Sequence, residues 1–139
     1  MTQTSLIDIN SLINSKNKSS KNWYEHNFLF NKISELLGEK LKELGNNYDK
    51  ILLLSSDAGE SLENAIKVSF SKLIFLSPYK NLLNKKKIQS NKILKVESHF
   101  ENLPLKNEKF DFVISNLCIN TIVDKKKHLN KIFQLLKVD

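Results

Sequence analysis

Residues 51–60 read ILLLSSDAGE, an unbroken apolar run that ends in small and acidic residues. Three more runs of this kind lie at 73–76, 93–96 and 110–114, each bounded by polar or turn-forming residues. Short, continuous apolar runs are typical of strands that are buried on both faces, as in a parallel sheet. The sequence therefore predicts four parallel strands, with a strand-to-helix turn directly after the first.

Segments with helical spacing surround these runs. Across residues 23–44 apolar side chains recur at intervals of three and four, and Gly45 follows as a helix stop. Residues 124–137 carry one apolar stripe, and 60–67 and 79–84 supply shorter helices. Strands that alternate with helices predict the α/β class: a Rossmann-like parallel sheet with flanking helices, incomplete at about four strands, plus an N-terminal helix.

The domain organisation follows from length and local composition. A chain of 139 residues allows one domain. Residues 1–21 are rich in serine, asparagine and lysine, which predicts a loosely ordered arm with one helical turn. Residues 22–139 then form a partial Rossmann-like domain.

Composition limits the partners and cofactors. All 22 basic residues are lysine, which lacks the bidentate contacts by which arginine reads bases, so the net charge of +7 does not indicate sequence-specific nucleic-acid binding. The lysine runs at 85–87 and 125–127 are typical of a solvated face, and binding to an anionic surface is the alternative. With one cysteine, Cys118, and three scattered histidines, we expect no disulfide, no metal site and a reducing, cytoplasmic location. No apolar run has the length of a membrane span.

The carboxyl ends of the strands are where open α/β sheets bind ligands. Ser55, Asp57 and Gly59 follow the first run, His99 follows the third and Ser115 follows the fourth, so these are candidate ligand-binding positions. Two simpler interpretations stand beside this one. The segment after the first strand is also compatible with an ordinary turn whose Asp57 caps a helix, and a lone histidine in a loop is usually solvated.

Three segments carry a resemblance to a known family. Residues 101–105 (ENLPL) and 110–117 (FDFVISNL) resemble an acidic-x-Leu-Pro stretch and the fourth strand of class I S-adenosylmethionine-dependent methyltransferases. Residues 133–137 (FQLLK) resemble the end of the helix that follows that strand in the family. Residues 26–30 (HNFLF) are similar to the N-terminal helix of one branch, the complex I assembly factor related to the malonyl-carrier-protein methyltransferase of biotin synthesis.

The resemblance implies S-adenosylmethionine as cofactor, yet the family's glycine-rich turn is altered here. In the family an acidic residue and a Gly-x-Gly-x-Gly turn close the first strand, so that the backbone can approach the cofactor. The acidic position falls on Leu53, and the glycines fall on Ser55, Asp57 and Gly59, of which one is kept. A left-handed backbone costs roughly 1 kcal/mol or more for a residue with a Cβ.

Two further positions of the family pattern are changed. The carboxylate that accepts hydrogen bonds from the ribose corresponds to Phe75, and the carboxylate on the adenine side corresponds to His99. Each lost hydrogen bond removes about 0.5–1.5 kcal/mol, and more where the acceptor is charged. The resemblance together with these losses implies a methyltransferase-like domain with weak or no catalytic activity. The resemblance also implies which residues would line any remaining cofactor pocket: Ser55, Asp57, Gly59, Phe75, His99 and Ser115.

The last residues correspond to the turn after the helix that follows the family's fourth strand. The strand order of the family sheet is 3-2-1-4-5-7-6. We therefore expect strands five to seven to be absent and the fourth strand to be an edge, which favours a protein partner or self-association. The alternative function is a non-catalytic interaction module, with a role in respiratory-complex assembly implied by family analogy. Weak binding of nucleic acid or an anionic surface through lysines is a third hypothesis.

Overall fold

The computed structural model describes residues 9–45, 47–85, 87, 90–105, 109–116, 118 and 122–137. Six helices and four strands follow one another along this part of the chain, with a short 3-10 turn, Ser20–Asn22, after the first helix. Their bounds are α1 Ile9–Ser19, α2 Trp23–His26, α3 Phe28–Leu44, β1 Asn47–Ser55, α4 Glu60–Ala65, β2 Ser69–Ser77, α5 Lys80–Leu83, β3 Ile93–Glu97, β4 Phe112–Asn116 and α6 Lys125–Leu135.

The four strands form one parallel sheet in the order β3-β2-β1-β4. This confirms the predicted α/β class and the Rossmann-like parallel sheet flanked by helices. The central strands β1 and β2 begin four residues earlier than their apolar runs, because their first halves alternate between exposed and half-buried positions. In both strands the last five residues are buried, so the carboxyl ends of the strands lie inside the molecule.

Successive residues of β1 belong to two apolar clusters, one on each face of the sheet. Ile51 and Leu53 pack in a cluster with Leu41 of α3 and Leu62 of α4. Leu52 and Leu54 belong to the other cluster, which includes the following side chains: Trp23, Tyr79, Phe100, Phe110 and Leu135. Burial on both faces explains why β1 reads as an unbroken apolar run.

The N-terminal segment contains the helix α1. This helix has 11 residues, and residues 1–8 lie outside the described part of the chain. That residues 1–21 form an arm separate from the domain stays a prediction. Leu12 and Ile13 pack against the core, and Asn17 accepts a 3.1 Å hydrogen bond at Oδ1 from the Asn81 amide. Tertiary contacts therefore stabilise a helix whose composition does not favour one.

Strand β4 is an edge of the sheet within the described residues, as the strand order predicted. It begins at Phe112, two residues later than its apolar run, because the Phe110 amide hydrogen-bonds instead to the Leu135 carbonyl at 2.8 Å. Asp111 holds the start of the strand, since its carboxylate accepts a 2.8 Å hydrogen bond from the Asp49 amide and lies 3.0 Å from the Lys137 ammonium.

Candidate functional site

The turn between β1 and α4 is the best-formed polar site at the carboxyl ends of the strands. Residues 55–60 are buried, although four of the six are polar or charged. Gly59 precedes α4 with a φ of 105°, a left-handed conformation that glycine adopts without strain. The predicted residues Ser55, Asp57 and Gly59 are therefore together, as the sequence indicated.

Asp57 is fully buried and accepts three hydrogen bonds from its own chain. Its Oδ1 accepts from the Gly59 amide at 2.9 Å, and its Oδ2 accepts from the Ser61 amide at 3.1 Å and from Asn116 Nδ2 at 2.8 Å. Burial raises the pKa of Asp57, and the nearby Glu60 adds to this, while the hydrogen bonds act in the opposite direction. The side chain therefore caps the turn and joins it to the end of β4.

Glu60 is a second buried carboxylate, which the sequence did not single out. Its Oε1 accepts hydrogen bonds from the Trp23 indole and from Asn27 Nδ2, the latter at 3.2 Å, and its Oε2 accepts from the Ala58 amide at 2.9 Å. The donors come from α2, from the residue before α3 and from the turn itself. Glu60 thus fastens the N-terminal helices to the turn.

Ser55 completes this arrangement at the end of β1. Its Oγ accepts a 3.2 Å hydrogen bond from the Asp57 amide and a 3.1 Å hydrogen bond from Ser61 Oγ. We name Ser55, Asp57, Glu60 and Ser61 the turn network. Every member is at most 3% exposed, so their polar groups bind one another and the surrounding chain rather than water.

Phe75 lies apart from the turn network. It is 1% exposed and belongs to the apolar cluster on the α3 and α4 side of the sheet. Its register partner in β1 is Leu53, which belongs to the same cluster. The two positions where the resemblance expects acidic residues therefore face each other as an apolar pair.

A cavity of about 270 Å³ lies beyond the ends of β2 and β3. It is lined by α1, the β2–α5 turn and the loop after β3, through Leu12, Ile13, Pro78, Tyr79, His99, Phe100, Glu101 and Asn102. The cavity falls just below the range of about 300–1,000 Å³ that is usual for small-molecule sites. Of the predicted residues, His99 lines this cavity, whereas Ser115 is exposed in β4 with its Oγ 3.4 Å from Cys118 Sγ.

A wider groove of about 770 Å³ runs between the loop after β3 and α6. Lys126 and Lys127 of the second lysine run line it, together with Lys131. Asp124 and Glu101 line the same groove, so its charge is mixed rather than uniformly basic.

Cys118 is buried and lacks the properties of a nucleophile. Burial raises the pKa of its thiol to about 12, against the opposing effect of its hydrogen bonds with Ser115 and Asn116. Its Sγ donates to the Leu54 carbonyl at 3.1 Å, which fixes the side chain in the core. A reactive cysteine is by contrast a thiolate near neutral pH.

Within the residues that the structure describes, no three histidine, cysteine or acidic side chains are placed to hold a metal ion. In the same part of the chain, every helix is too short or too polar to cross a membrane.

The sequence model of the methyltransferase domain family matches residues 58–139, well over half of the chain. The chain belongs to this family. The match begins within the turn after β1 and includes the Leu-Pro stretch, β4 and α6. No curated protein sequence matches this methyltransferase domain.

Solved structures share the fold at low sequence identity. A protein of Methanococcus maripaludis, described as an S-adenosyl-L-methionine-dependent methyltransferase, is 20% identical with a TM-score of 0.68, over 87% of this chain and 59% of that one. The plantazolicin methyltransferase BpumL, solved with S-adenosylhomocysteine (SAH) and a monoazolic desmethylPZN analogue, is 11% identical with a TM-score of 0.60, over 91% of this chain and 56% of that one.

A third structure contains a partner protein. It is the complex of the Haloferax volcanii Trm112 methyltransferase activator with a protein described as a methyltransferase, 17% identical with a TM-score of 0.58, over 64% of this chain and 41% of that one. The methyltransferase domain described here thus spans about half the length of the solved structures that it matches.

Proposed function

We propose that this chain is a methyltransferase domain that binds S-adenosylmethionine weakly or not at all and has weak or no catalytic activity. The observation that carries the proposal is the turn network. At the position where the family keeps a glycine turn open to its cofactor, Asp57 and Glu60 accept hydrogen bonds from their own chain.

The hydrogen bonds of Asp57 support this proposal, because donors from the chain itself already occupy its carboxylate. Three donors converge on its carboxylate, two from the backbone and one from Asn116. A cofactor that needed the space or the amides of this turn would first have to break these bonds. Leaving a buried donor or acceptor unpaired costs about 1–3 kcal/mol, and more where the group is charged.

The residues around the turn also lack the acceptors that the resemblance expects. Phe75 stands in place of the ribose-binding carboxylate and is buried in the apolar core, and His99 stands in place of the adenine-side carboxylate. Two hydrogen bonds to charged acceptors contribute about 3–6 kcal/mol together, which corresponds to roughly a 10²- to 10⁴-fold loss of affinity.

Isothermal titration calorimetry of the chain with S-adenosylmethionine tests the proposal. We expect no saturable heat at micromolar concentrations of the cofactor. A dissociation constant in the micromolar range contradicts the proposal. The same titration with SAH, which the BpumL complex contains, controls for a preference for the demethylated product.

We propose as the alternative function a non-catalytic interaction module that uses the β4 edge. Ser115 is exposed on this strand, and on α6 the side chains of Leu129 and Phe133 are 42% and 71% exposed. An uncovered strand edge pairs readily with another chain. The Haloferax volcanii complex supports a partner by analogy, and a role in respiratory-complex assembly stays a proposal based on the resemblance at residues 26–30.

The interaction-module alternative can be tested directly for the case in which the partner is a second copy of the chain. Sedimentation equilibrium should show a dimer that Ser115→Lys weakens, because a charge at an exposed edge position opposes strand pairing. Ser71→Lys is the matched control, since Ser71 is an exposed serine of the central strand β2. A chain that stays monomeric at all concentrations contradicts self-association through β4.

The location, the domain bounds and the family branch of this chain are also proposals. We infer a reducing, cytoplasmic location from the lone buried cysteine, and we infer that residues 22–139 form the methyltransferase domain. Membership of the branch that contains the biotin-synthesis enzyme and the complex I assembly factor is likewise a proposal from sequence resemblance.

A further inference from the structure

The side chain of Lys16 on α1 lies within a group of three aromatic rings. Its Nζ is 5.7 Å from the ring centroid of Trp23, 5.1 Å from that of Phe30 and 5.9 Å from that of Tyr79. All three distances are within the roughly 6 Å at which a cation is attracted to an aromatic face. We name Trp23, Phe30 and Tyr79 the aromatic cage.

Contacts other than Lys16 hold the aromatic cage in place. The Trp23 indole donates a hydrogen bond to the buried Glu60 carboxylate, and the ring centroids of Trp23 and Phe30 are 4.8 Å apart. Tyr79 is 1% exposed and packs edge to face on Phe100, with 6.2 Å between the ring centroids. Each ring of the cage therefore has at least one contact besides that with Lys16.

A buried carboxylate also acts on a cation at this place. Burial lowers the pKa of Lys16, and the negative charge of the buried Asp57 offsets part of this effect. For the lysine ammonium, the cost of burial therefore outweighs the attraction of the carboxylate. Sites that recognise quaternary ammonium groups are built from aromatic faces of this kind.

An approach to the cage exists from the 270 Å³ cavity. Tyr79 belongs to both the cage and the cavity wall. Leu12 and Ile13 line the cavity one helical turn before Lys16, so these three residues share a face of α1. Tyr79 is thus the ring through which the cavity and the cage adjoin.

We propose that the aromatic cage is a binding site for a small quaternary ammonium cation, and that Lys16 is its intramolecular occupant, which the ligand displaces. A lysine ammonium is a strongly hydrated point charge, so its burial against rings forfeits hydrogen bonds to water. A quaternary ammonium group has no N–H to desolvate and presents methyl groups to the rings.

Fluorescence titration with tetramethylammonium chloride tests the proposal, because Trp23 is the one tryptophan of the chain and belongs to the cage. Lys16→Ala should bind tetramethylammonium saturably and at least fivefold more tightly than the wild type, since its intramolecular competitor is gone. Lys18→Ala is the matched control on the exposed side of α1 and should behave as the wild type. Sodium chloride at equal ionic strength should produce no such response.

A second set of variants guards against misfolding. Lys16→Gln keeps a polar side chain of similar length and should reproduce the gain in affinity. Phe30→Leu in the Lys16→Gln background removes one ring from a half-buried position and should weaken binding at least fivefold, with an unchanged far-UV circular dichroism spectrum. The absence of a saturable response in both Lys16 variants overturns the proposal, as does an affinity within fivefold of the wild type.

Discussion

Asn116 Nδ2 donates a 2.8 Å hydrogen bond to Asp57 Oδ2, and this bond joins the end of β4 to the turn after β1. The two residues are 59 positions apart in the chain, and both are buried. The turn network is therefore tied to the edge strand of the sheet as well as to α4. We call the turn closed because hydrogen bonds from the chain itself occupy its carboxylates.

Loss of this bond should destabilise the domain. Asn116→Ala removes one of the three donors to a buried carboxylate, so we expect the free energy of unfolding to fall by about 1.5–3 kcal/mol in urea titrations. Ser115→Ala, at the neighbouring exposed position, should change it by less than about 0.5 kcal/mol. Equal effects of the two substitutions contradict the role given to Asn116.

Substitution of Gly59 should destabilise the protein because of the backbone conformation at this position. At a φ of 105°, Gly59→Ala is expected to cost about 1–2 kcal/mol of stability. Gly45→Ala is the comparison at an extended φ of 170°, where the added Cβ would lie 3.3 Å from the Tyr48 hydroxyl oxygen but would not strain the backbone. Thermal unfolding measures each variant against the wild type, and a Gly59→Ala protein as stable as the wild type contradicts the left-handed turn.

Two aspartates should affect stability in opposite directions with pH. The pKa of Asp57 is raised, first of all by burial, so its favourable contribution is complete below the unfolded pKa of about 3.9 and is lost as the pH rises through the folded pKa. The stability of Asp57→Asn relative to the wild type should therefore improve as the pH rises from about 4.

Asp111 should behave in the reverse manner. Burial would raise the pKa of Asp111, but hydrogen bonds from the Asp49 and Lys50 amides and from Lys137 lower it on balance. Its contribution is present above a pH of about 3.9 and is lost as the pH falls through the folded pKa. Urea titrations between pH 3 and 7 should show Asp111→Asn at a disadvantage only in the upper part of this range; slopes of the same sign for both variants contradict the assignment.

Cys118 should react slowly with alkylating reagents in the folded protein. Its buried thiol has a pKa raised to about 12, so almost no thiolate is present at pH 8. Iodoacetamide labelling followed by mass spectrometry should be at least 100-fold slower without denaturant than in 6 M urea, since unfolding restores an ordinary thiol pKa of about 8.5. Comparable rates contradict the burial of this side chain.

The strands could be predicted because burial on both faces leaves a local signal. Residues 51–54 and 73–76 are apolar without interruption, and they form the inner halves of β1 and β2. The order β3-β2-β1-β4 followed from the family resemblance. By contrast α1 has few apolar residues, and its contacts with Tyr79 and Asn81 come from distant parts of the chain, so local composition could not predict it.

The cofactor-binding role of the predicted residues stays a prediction, and the sequence indicated only part of the polar network around them. The strand ends indicated Ser55, Asp57 and Gly59, because parallel strands bring their carboxyl ends together. The partners Trp23 and Asn116 lie 37 and 59 residues from the carboxylates that they contact, and no spacing rule connects such pairs. The sequence signal that could have drawn attention to Glu60 is its position directly after Gly59, the one glycine of the family turn that this chain keeps.

The most direct test of the closed turn is a ¹⁵N–¹H correlation spectrum of the chain, recorded as S-adenosylmethionine is added to millimolar concentration. The amides of Ala58, Gly59 and Ser61 donate to the Glu60 and Asp57 carboxylates. The account predicts that these three resonances keep their positions and that their protons exchange slowly with solvent throughout the titration. Saturable shifts of these resonances at micromolar cofactor would contradict it.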